Sequence, residues 1–145
     1  MYKLEYSRIK FDSQKYWKLL RMRELVLRLP LGLRYSQADI EKEKDEWIYA
    51  CEIDGKIAAS CQFILEGDKA KMRQVATAKS FQGQGAGKGL YLFCEAELRK
   101  VGVTEIYCHA RTSAILFYEK MDFKIVSDVF EEVGISHVKM KKELL

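Results

Sequence analysis

The sequence predicts a mixed α/β fold in a single domain covering residues 1–145, with a central sheet of about seven strands flanked by helices on both faces. Strand-like runs dominate the first half of the chain, and strands and helices then alternate before two final strands. This order is typical of one sheet covered on both sides. A length of 145 residues suffices for one hydrophobic core and requires no second domain.

The first part of the chain predicts a strand and two helices. Residues 3–9 alternate between polar and apolar side chains. Ser13 then offers an N-cap to a helix that the only proline, Pro30, ends. The apolar positions of this helix recur every three or four residues, at Leu19, Met22, Val26 and Leu29. A short charged helix from Ser36 to Asp45 is expected either as a solvated face or as a lid over a substrate groove.

Strands dominate the following region. Residues 47–53 and 56–65 form two strands joined by Asp54-Gly55, which is a hairpin signal. A turn at residues 66–68 leads into a strand that ends near Thr77. The later elements are strands at 104–108, 123–126 and 136–141 and a helix at 113–121.

A glycine-rich turn from Gln82 to Lys88 (Gln-Gly-Gln-Gly-Ala-Gly-Lys) separates the strand ending at Thr77 from a long helix. The apolar residues of that helix recur at helical spacing, at Leu90, Phe93, Cys94, Leu98 and Val101. Glycines let the backbone approach a ligand closely, and the free N–H groups of a helix start bind phosphate. The turn therefore predicts a phosphate cradle, although a tight connection without a ligand remains an alternative.

Two common nucleotide patterns fail at this turn. A Walker loop needs Gly where Gln82 stands and Ser or Thr where Gly89 stands. The dinucleotide fingerprint needs a third Gly, but its two possible frames end on Lys88 and Leu90. A nucleotide-binding protein is therefore disfavoured.

Charge and hydropathy exclude several classes of partner. The 25 Lys and Arg residues against 21 Asp and Glu give a net charge of +4, and the charges are interspersed, so we expect no nucleic-acid partner. Residues 1–10 do not resemble a signal peptide and no apolar run is long enough to span a membrane. A cytoplasmic location without a membrane partner is expected.

The four cysteines, Cys51, Cys61, Cys94 and Cys108, form no C-x-x-C pair, and each lies in an apolar segment. Reduced thiols in the core are predicted, with neither a disulfide framework nor a metal site.

Two separate blocks of the sequence carry a family resemblance. Residues 72–77, Phe81-Gln82, the glycine-rich turn and the long helix resemble motif A of the GNAT superfamily of acyl-CoA N-acyltransferases. Residues 114–123 resemble its second block, Ala-x-x-Phe-Tyr-Glu-Lys-x-Gly-Phe, with Asp122 in the place of Gly. Residues 130–140 are similar to the tail of an uncharacterised bacterial subgroup. The resemblance implies a mostly antiparallel sheet in which two parallel strands splay apart to admit the pantetheine arm of acetyl-CoA.

The resemblance also implies which residues bind acetyl-CoA, the expected acyl-donor cosubstrate. Backbone contacts to the pantetheine arm fall on Val75, Ala76 and Thr77. Contacts to the pyrophosphate fall on Gly83, Gln84, Gly85, Ala86, Gly87 and Lys88. Arg111 stands where many members carry a CoA-contacting Asn, so it either replaces that contact with a charged one or faces the acceptor.

Tyr118 matches the family's Tyr near the acyl sulfur. A phenol is protonated at neutral pH and can give its proton to a thiolate leaving group; the alternative is a packed helix tyrosine. His137 and Glu132, in the subgroup-like tail, are candidates for the general base, and His109 ends a strand beside the cleft. A histidine that titrates near neutral pH suits this task, but a structural role for each remains open.

The resemblance implies an acetyl-CoA-dependent N-acetyltransferase that acts on a primary amine of a small molecule or a protein by direct attack on the thioester. The alternative is a non-catalytic module of the same fold that binds acyl-CoA as a sensor or scaffold. By family analogy, a homodimer through the last strands is also expected.

Overall fold

Residues 3–144, which the computed structural model describes, form one eight-stranded sheet. The strands are β1 (Leu4–Ile9), β2 (Trp47–Ile53), β3 (Lys56–Glu66), β4 (Lys69–Thr77), β5 (Glu105–Arg111), β6 (Lys124–Ile125), β7 (Phe130–Glu132) and β8 (Ile135–Glu143). They lie in the order β1-β2-β3-β4-β5-β8-β6, and β7 also pairs with β8. Every pair is antiparallel except β4 with β5. The predicted fold class is confirmed, with β7 as an additional short strand.

Four α-helices connect these strands in the described residues: α1 (Gln14–Leu27), α2 (Gln37–Glu41), α3 (Ala86–Lys100) and α4 (Ile115–Glu119). The predicted cap of α1 is confirmed, because the Ser13 hydroxyl accepts a hydrogen bond from the Tyr16 N–H at 3.2 Å. The helix ends at Leu27, slightly earlier than predicted, and Pro30 lies in the 3₁₀ turn that follows.

The helices cover both faces of the sheet, as predicted. On β2, Ile48 and Ala50 belong to a small core cluster with α1, whereas Tyr49, Cys51 and Ile53 belong to a larger cluster with α3. The buried face of α3 consists of Ala86, Leu90, Tyr91, Cys94 and Leu98. Each large apolar side chain buried in this way contributes about 1.5–3 kcal/mol to folding.

The apolar pattern of α3 holds except at its end. Val101, predicted as part of the buried stripe, is 54% exposed, because the helix ends at Lys100 and the chain turns away there. The predicted core thiols are confirmed, since all four cysteines are free and buried. The sulfur atoms of Cys61 and Cys94 lie 3.5 Å apart where α3 packs on β3.

The parallel strands β4 and β5 part halfway along their length. Their pairing runs from Lys69 with Glu105 to Met72 with Cys108 and stops there. Beyond this point β4 has an irregular register against β3, and Gln74 adopts a positive φ of 55°. Such a bulge bends and twists a strand. The second half of β4 therefore leaves its neighbour and opens a gap in the sheet.

A buried polar network fixes α1 to the sheet. The guanidinium of Arg23, which is fully buried, donates to Glu43 and to Gln62 on β3. The hydroxyl of Tyr16 donates to the other oxygen of Glu43 at 2.9 Å. Charges are stable in such surroundings only when they are paired and hydrogen-bonded.

This network corrects the interpretation of the charged segment at residues 36–45. Most of its side chains are exposed, but Glu43 is only 2% exposed, so the expected solvated face is wrong at this position. The segment is fixed here because its carboxylate neutralises Arg23 in the interior.

Replacing Glu43 with Ala should lower the free energy of unfolding by about 3–5 kcal/mol, because it leaves the Arg23 charge buried without its partner. Urea denaturation would measure this loss. Glu97→Ala is the control, since it removes a partly exposed carboxylate that pairs with Lys100 on the surface of α3 and should cost at most about 1 kcal/mol. Equal losses in the two variants would contradict the structural role of the buried pair.

Candidate active site

A cleft of about 990 Å³ lies where β4 and β5 separate. Its walls are the parted ends of these strands, the C-terminal end of α1, the N-terminal end of α3, α4, and the turn between β7 and β8. A cavity of this size and composition is large enough for a cofactor.

The structure brings nearly all the predicted site residues together in this cleft. Those lining it are Val75, Ala76, Thr77, Gly83, Gly85, Ala86, Gly87, Lys88, Arg111, Tyr118, Glu132 and His137. Gln84 is the exception and does not line the cleft. Its side chain is exposed and its amide donates to the Ser80 carbonyl at 3.2 Å.

The alternation of side chains along β5 divides the cleft into two sides. Cys108 and Ala110 belong to the core cluster under α3, so the intervening His109 and Arg111 point to the opposite face. We call the face that carries Cys108 and Ala110 the α3 side, and the face that carries His109 and Arg111 the α1 side. The position of Arg111 on the α1 side is seen directly, because its guanidinium donates to the Leu27 carbonyl of α1 at 3.1 Å.

The glycine-rich turn forms the α3 side together with α4. Gly83 and Gly85 have φ values of 76° and 82°, which side chains disfavour, and Gly85 is the N-cap of α3. No side chain caps this helix start. Gly87 allows close packing, since a Cβ there would lie 3.1 Å from the Thr77 hydroxyl. The first N–H groups of α3 are therefore left to bind an anion.

Tyr118 is buried beside this turn. It is 7% exposed and its ring meets those of Phe117 and Phe123 edge-on, at 5.2 and 5.8 Å between centroids. Burial raises the pKa of Tyr118 well above its usual value of 10.0, and the nearby guanidinium of Arg111 opposes this only in part. The phenol therefore stays protonated at neutral pH and can act as a proton donor.

Three titratable side chains meet on the α1 side. Nδ1 of His109 lies 3.0 Å from Oε1 of Glu132, and Nε2 of His137 lies 3.7 Å from Oε2. Burial alone would raise the pKa of Glu132. The hydrogen bond with His109, with the electrostatic effect of His137 and Lys71, outweighs it and lowers that pKa below 4.5. Glu132 is thus an ionised carboxylate between two imidazoles.

The hydrogen bonds of both histidines determine which nitrogen can accept a proton. Glu132 can only accept, so His109 donates from Nδ1 and the lone pair of its neutral ring lies on Nε2. His137 directs Nδ1 to the Ile135 carbonyl at 2.8 Å, which likewise leaves Nε2 as its basic nitrogen. The Glu132 carboxylate lies beside both rings.

The sequence predicts Glu132 as a site residue, but not the hairpin that brings it to the cleft. Glu132 reaches the cleft because β7 and β8 form a hairpin through Val133 and Gly134, whose φ values of 48° and 73° are typical of a two-residue turn. Gly134 is the residue of the sequence that indicates such a turn. Arg28, Lys71 and Arg73 also line the cleft, and no local pattern marks them.

Neither a metal-binding cluster nor a membrane-spanning helix is found in the described part of the chain. Within residues 3–144, no three His, Cys, Asp or Glu side chains are grouped so as to hold a metal ion. Over the same residues, the helices fall short of the length and apolar character that crossing a membrane requires.

The family to which this architecture belongs follows from comparison with known proteins. A family model described as "Acetyltransferase (GNAT) domain" matches residues 34–144. The chain therefore belongs to the GNAT acetyltransferase family, and the predicted resemblance is confirmed.

The chain is also similar to individual proteins in sequence and in fold. The chain is similar to YyaT of Bacillus subtilis strain 168, with 35% identity over 80 residues, 55% of this chain and 54% of that protein. The match thus spans about half the length of YyaT. Among solved structures, an acyl-CoA N-acyltransferase from Pseudomonas aeruginosa has a TM-score of 0.81 at 19% identity, covering 97% of this chain and 99% of that one. PaiA N-acetyltransferase from Thermoplasma acidophilum, in complex with coenzyme A, has a TM-score of 0.75 at 18% identity, covering 97% and 99%. At these identities the two structures establish a shared fold.

Proposed function

We propose that the protein transfers an acetyl group from acetyl-CoA to a primary amine by direct attack of the amine on the thioester. The observation that carries this proposal is that one cleft holds an uncapped helix start, a protonated buried Tyr118 and an ionised Glu132 between two histidines. These groups match the needs of the reaction: an anion site, an acid for the leaving group and a base for the amine.

The donor would lie along the parted edge of β4. Beyond Met72 this edge is no longer paired with β5, so the backbone at Val75, Ala76 and Thr77 can bond to a pantetheine arm as an added strand would. The pyrophosphate would rest on the backbone N–H groups from Gly83 through Gln84 to Lys88. PaiA, whose structure contains coenzyme A, supports a donor of this type.

Proton movement would involve both sides of the cleft. As the amine attacks, its proton passes to the cluster of Glu132, His109 and His137, in which both imidazoles lie beside an ionised carboxylate. The C–S bond then breaks, and Tyr118 donates its phenolic proton to the CoA thiolate. The guanidinium of Arg111, on the α1 side, lowers the pKa of the phenol slightly, which favours this donation.

Gly85→Glu should weaken acetyl-CoA binding at least about tenfold, because it places a carboxylate against the pyrophosphate. Isothermal titration with acetyl-CoA, and with ATP and NAD as competing ligands, would measure this. Gly55→Glu is the matched control: Gly55 has a similar φ of 79° and similarly open surroundings, but lies in the hairpin between β2 and β3.

Two results would contradict the proposal: unchanged acetyl-CoA affinity in folded Gly85→Glu, or wild-type protein that binds ATP but not acetyl-CoA. Acetyl-CoA binding without turnover on any amine would favour the sensor alternative.

Tyr118→Phe should lower kcat by roughly 10²–10⁴ while leaving acetyl-CoA affinity nearly unchanged, because it removes the acid and keeps the ring. Since the pKa of Tyr118 lies well above 10.0, its ionisation should not depress the wild-type rate below pH 10. Tyr91→Phe is the control, as it removes a hydroxyl bonded to Glu95 on α3, outside the cleft. A wild-type rate in Tyr118→Phe would remove this residue from the mechanism.

Glu132→Gln should lower kcat by roughly 10²–10⁴, because the amide can no longer stabilise a proton on either imidazole. Glu131→Gln provides the matched control, since Glu131 lies next to it in β7 but does not line the cleft. Steady-state rates between pH 6 and 9 would be compared.

The single variants His109→Gln and His137→Gln then distinguish the contributions of the two imidazoles to catalysis. The ring that accepts the proton is the one whose loss changes the pH profile as well as kcat. An unaltered rate and profile in all three cluster variants would show that the cluster is not the base.

A further inference from the structure

The α1 side of the cleft is strongly basic. Arg28, Lys71, Arg73 and Arg111 line the cleft, and Glu132 is the single acidic residue among the described residues that line it. Lys71 and Arg73 point to this side because they alternate with Ala70 and Met72, which belong to the core cluster under α3.

Acetyl-CoA does not account for this charge. Its phosphates would bind at the glycine-rich turn on the α3 side, where Lys88 is placed. The basic residues of the α1 side lie across the sheet from that turn, on the same side as the cluster proposed to take the amine proton. This positive charge is therefore available to the acceptor.

Carboxylates compensate part of the charge of two of the four cations. Arg73 donates to Glu46 at 2.6 Å, and Lys71 lies within electrostatic reach of Glu132.

Arg28 and Arg111 are held mainly by neutral groups. The Arg28 guanidinium stacks on the Tyr35 ring at 4.8 Å, and Arg111 donates to the Leu27 carbonyl. Asp39 lies within electrostatic reach of Arg28, but its carboxylate accepts a hydrogen bond from the Ser36 backbone. Both guanidinium groups are half-buried and line the cleft, so they retain donors and charge for an anion.

We propose that the acceptor is an amine that also carries an anionic group, either a carboxylate or a phosphate, which Arg28 and Arg111 bind. The inference rests on the proposed acetyl transfer. A guanidinium binds both kinds of oxyanion through paired N–H donors. Cationic amines such as polyamines would be repelled by the same side chains.

The strand register also places the proposed anion site near the histidines. Arg111 on β5 lies directly opposite His137 on β8, and the Cβ atoms of such cross-strand neighbours are about 4.5–5.5 Å apart. The anion site is therefore adjacent to the cluster that takes the amine proton. This spacing suits a compact molecule in which a few bonds separate the amine from the anion, as in an amino acid or an aminoalkyl phosphate.

Acetyl transfer from acetyl-CoA to matched amines would test the proposal. The pairs are amino acids against their amides, and phosphoethanolamine against ethanolamine; spermidine supplies a cationic amine. We expect kcat/KM to be at least about tenfold higher for one of the anionic members than for its neutral partner. The two pairs also distinguish a carboxylate from a phosphate. Equal or faster transfer to the neutral and cationic amines would overturn the proposal.

Variants assign the effect to named side chains. Arg28→Gln should lower kcat/KM for the anionic amine at least about tenfold, through KM, while acetyl-CoA affinity stays unchanged. Arg34→Gln is the control, because Arg34 pairs with Glu24 and lies outside the cleft. No change in KM with Arg28→Gln would contradict the assignment.

Arg111→Gln serves as a second variant, with acetyl-CoA affinity measured separately. A raised amine KM at unchanged acetyl-CoA affinity supports the proposal, whereas a loss of acetyl-CoA affinity alone assigns Arg111 to the donor and contradicts it. If wild-type protein acetylates only cationic amines, this inference fails and the proposed function stands. If it neither binds nor consumes acetyl-CoA, both fail.

Discussion

The separation of β4 from β5 is the constraint on which the rest of the site depends. Paired strands would leave no space between α3 and α4, and their backbone groups would be bonded to each other. Because the ladder stops at Met72 and Cys108, the edge of β4 becomes available and the N-terminus of α3 faces an open cavity. The bulge at Gln74 contributes by bending β4 away from its former neighbour.

The sheet also separates the two halves of the proposed chemistry. Successive side chains of β5 point to opposite faces, so the groups suited to the acyl donor and those suited to the amine lie on different sides of one layer. Arg111 connects them, since it contacts α1 and also influences Tyr118. The network around Arg23 holds α1 against the sheet and so fixes the α1 side of the cleft.

Local patterns allowed part of this arrangement to be predicted. The glycine-rich turn and the buried stripe of α3 depend on neighbours within a few residues, so the sequence shows them directly. The burial of Glu43 is not visible in this way, because it depends on Arg23, a partner twenty positions earlier on α1. The meeting of Glu132 with His109 likewise depends on the pairing of β7 and β5 with β8, which no local pattern reveals.

The position of β8 inside the sheet has a consequence for folding. This strand pairs with β5 along one edge and with β6 and β7 as well, yet it follows all three in the chain. Until β8 is inserted, β5 exposes unpaired backbone groups that can associate with other chains. A chain synthesised only as far as β7 would thus carry an incomplete sheet whose unpaired β5 edge favours aggregation until β8 is added.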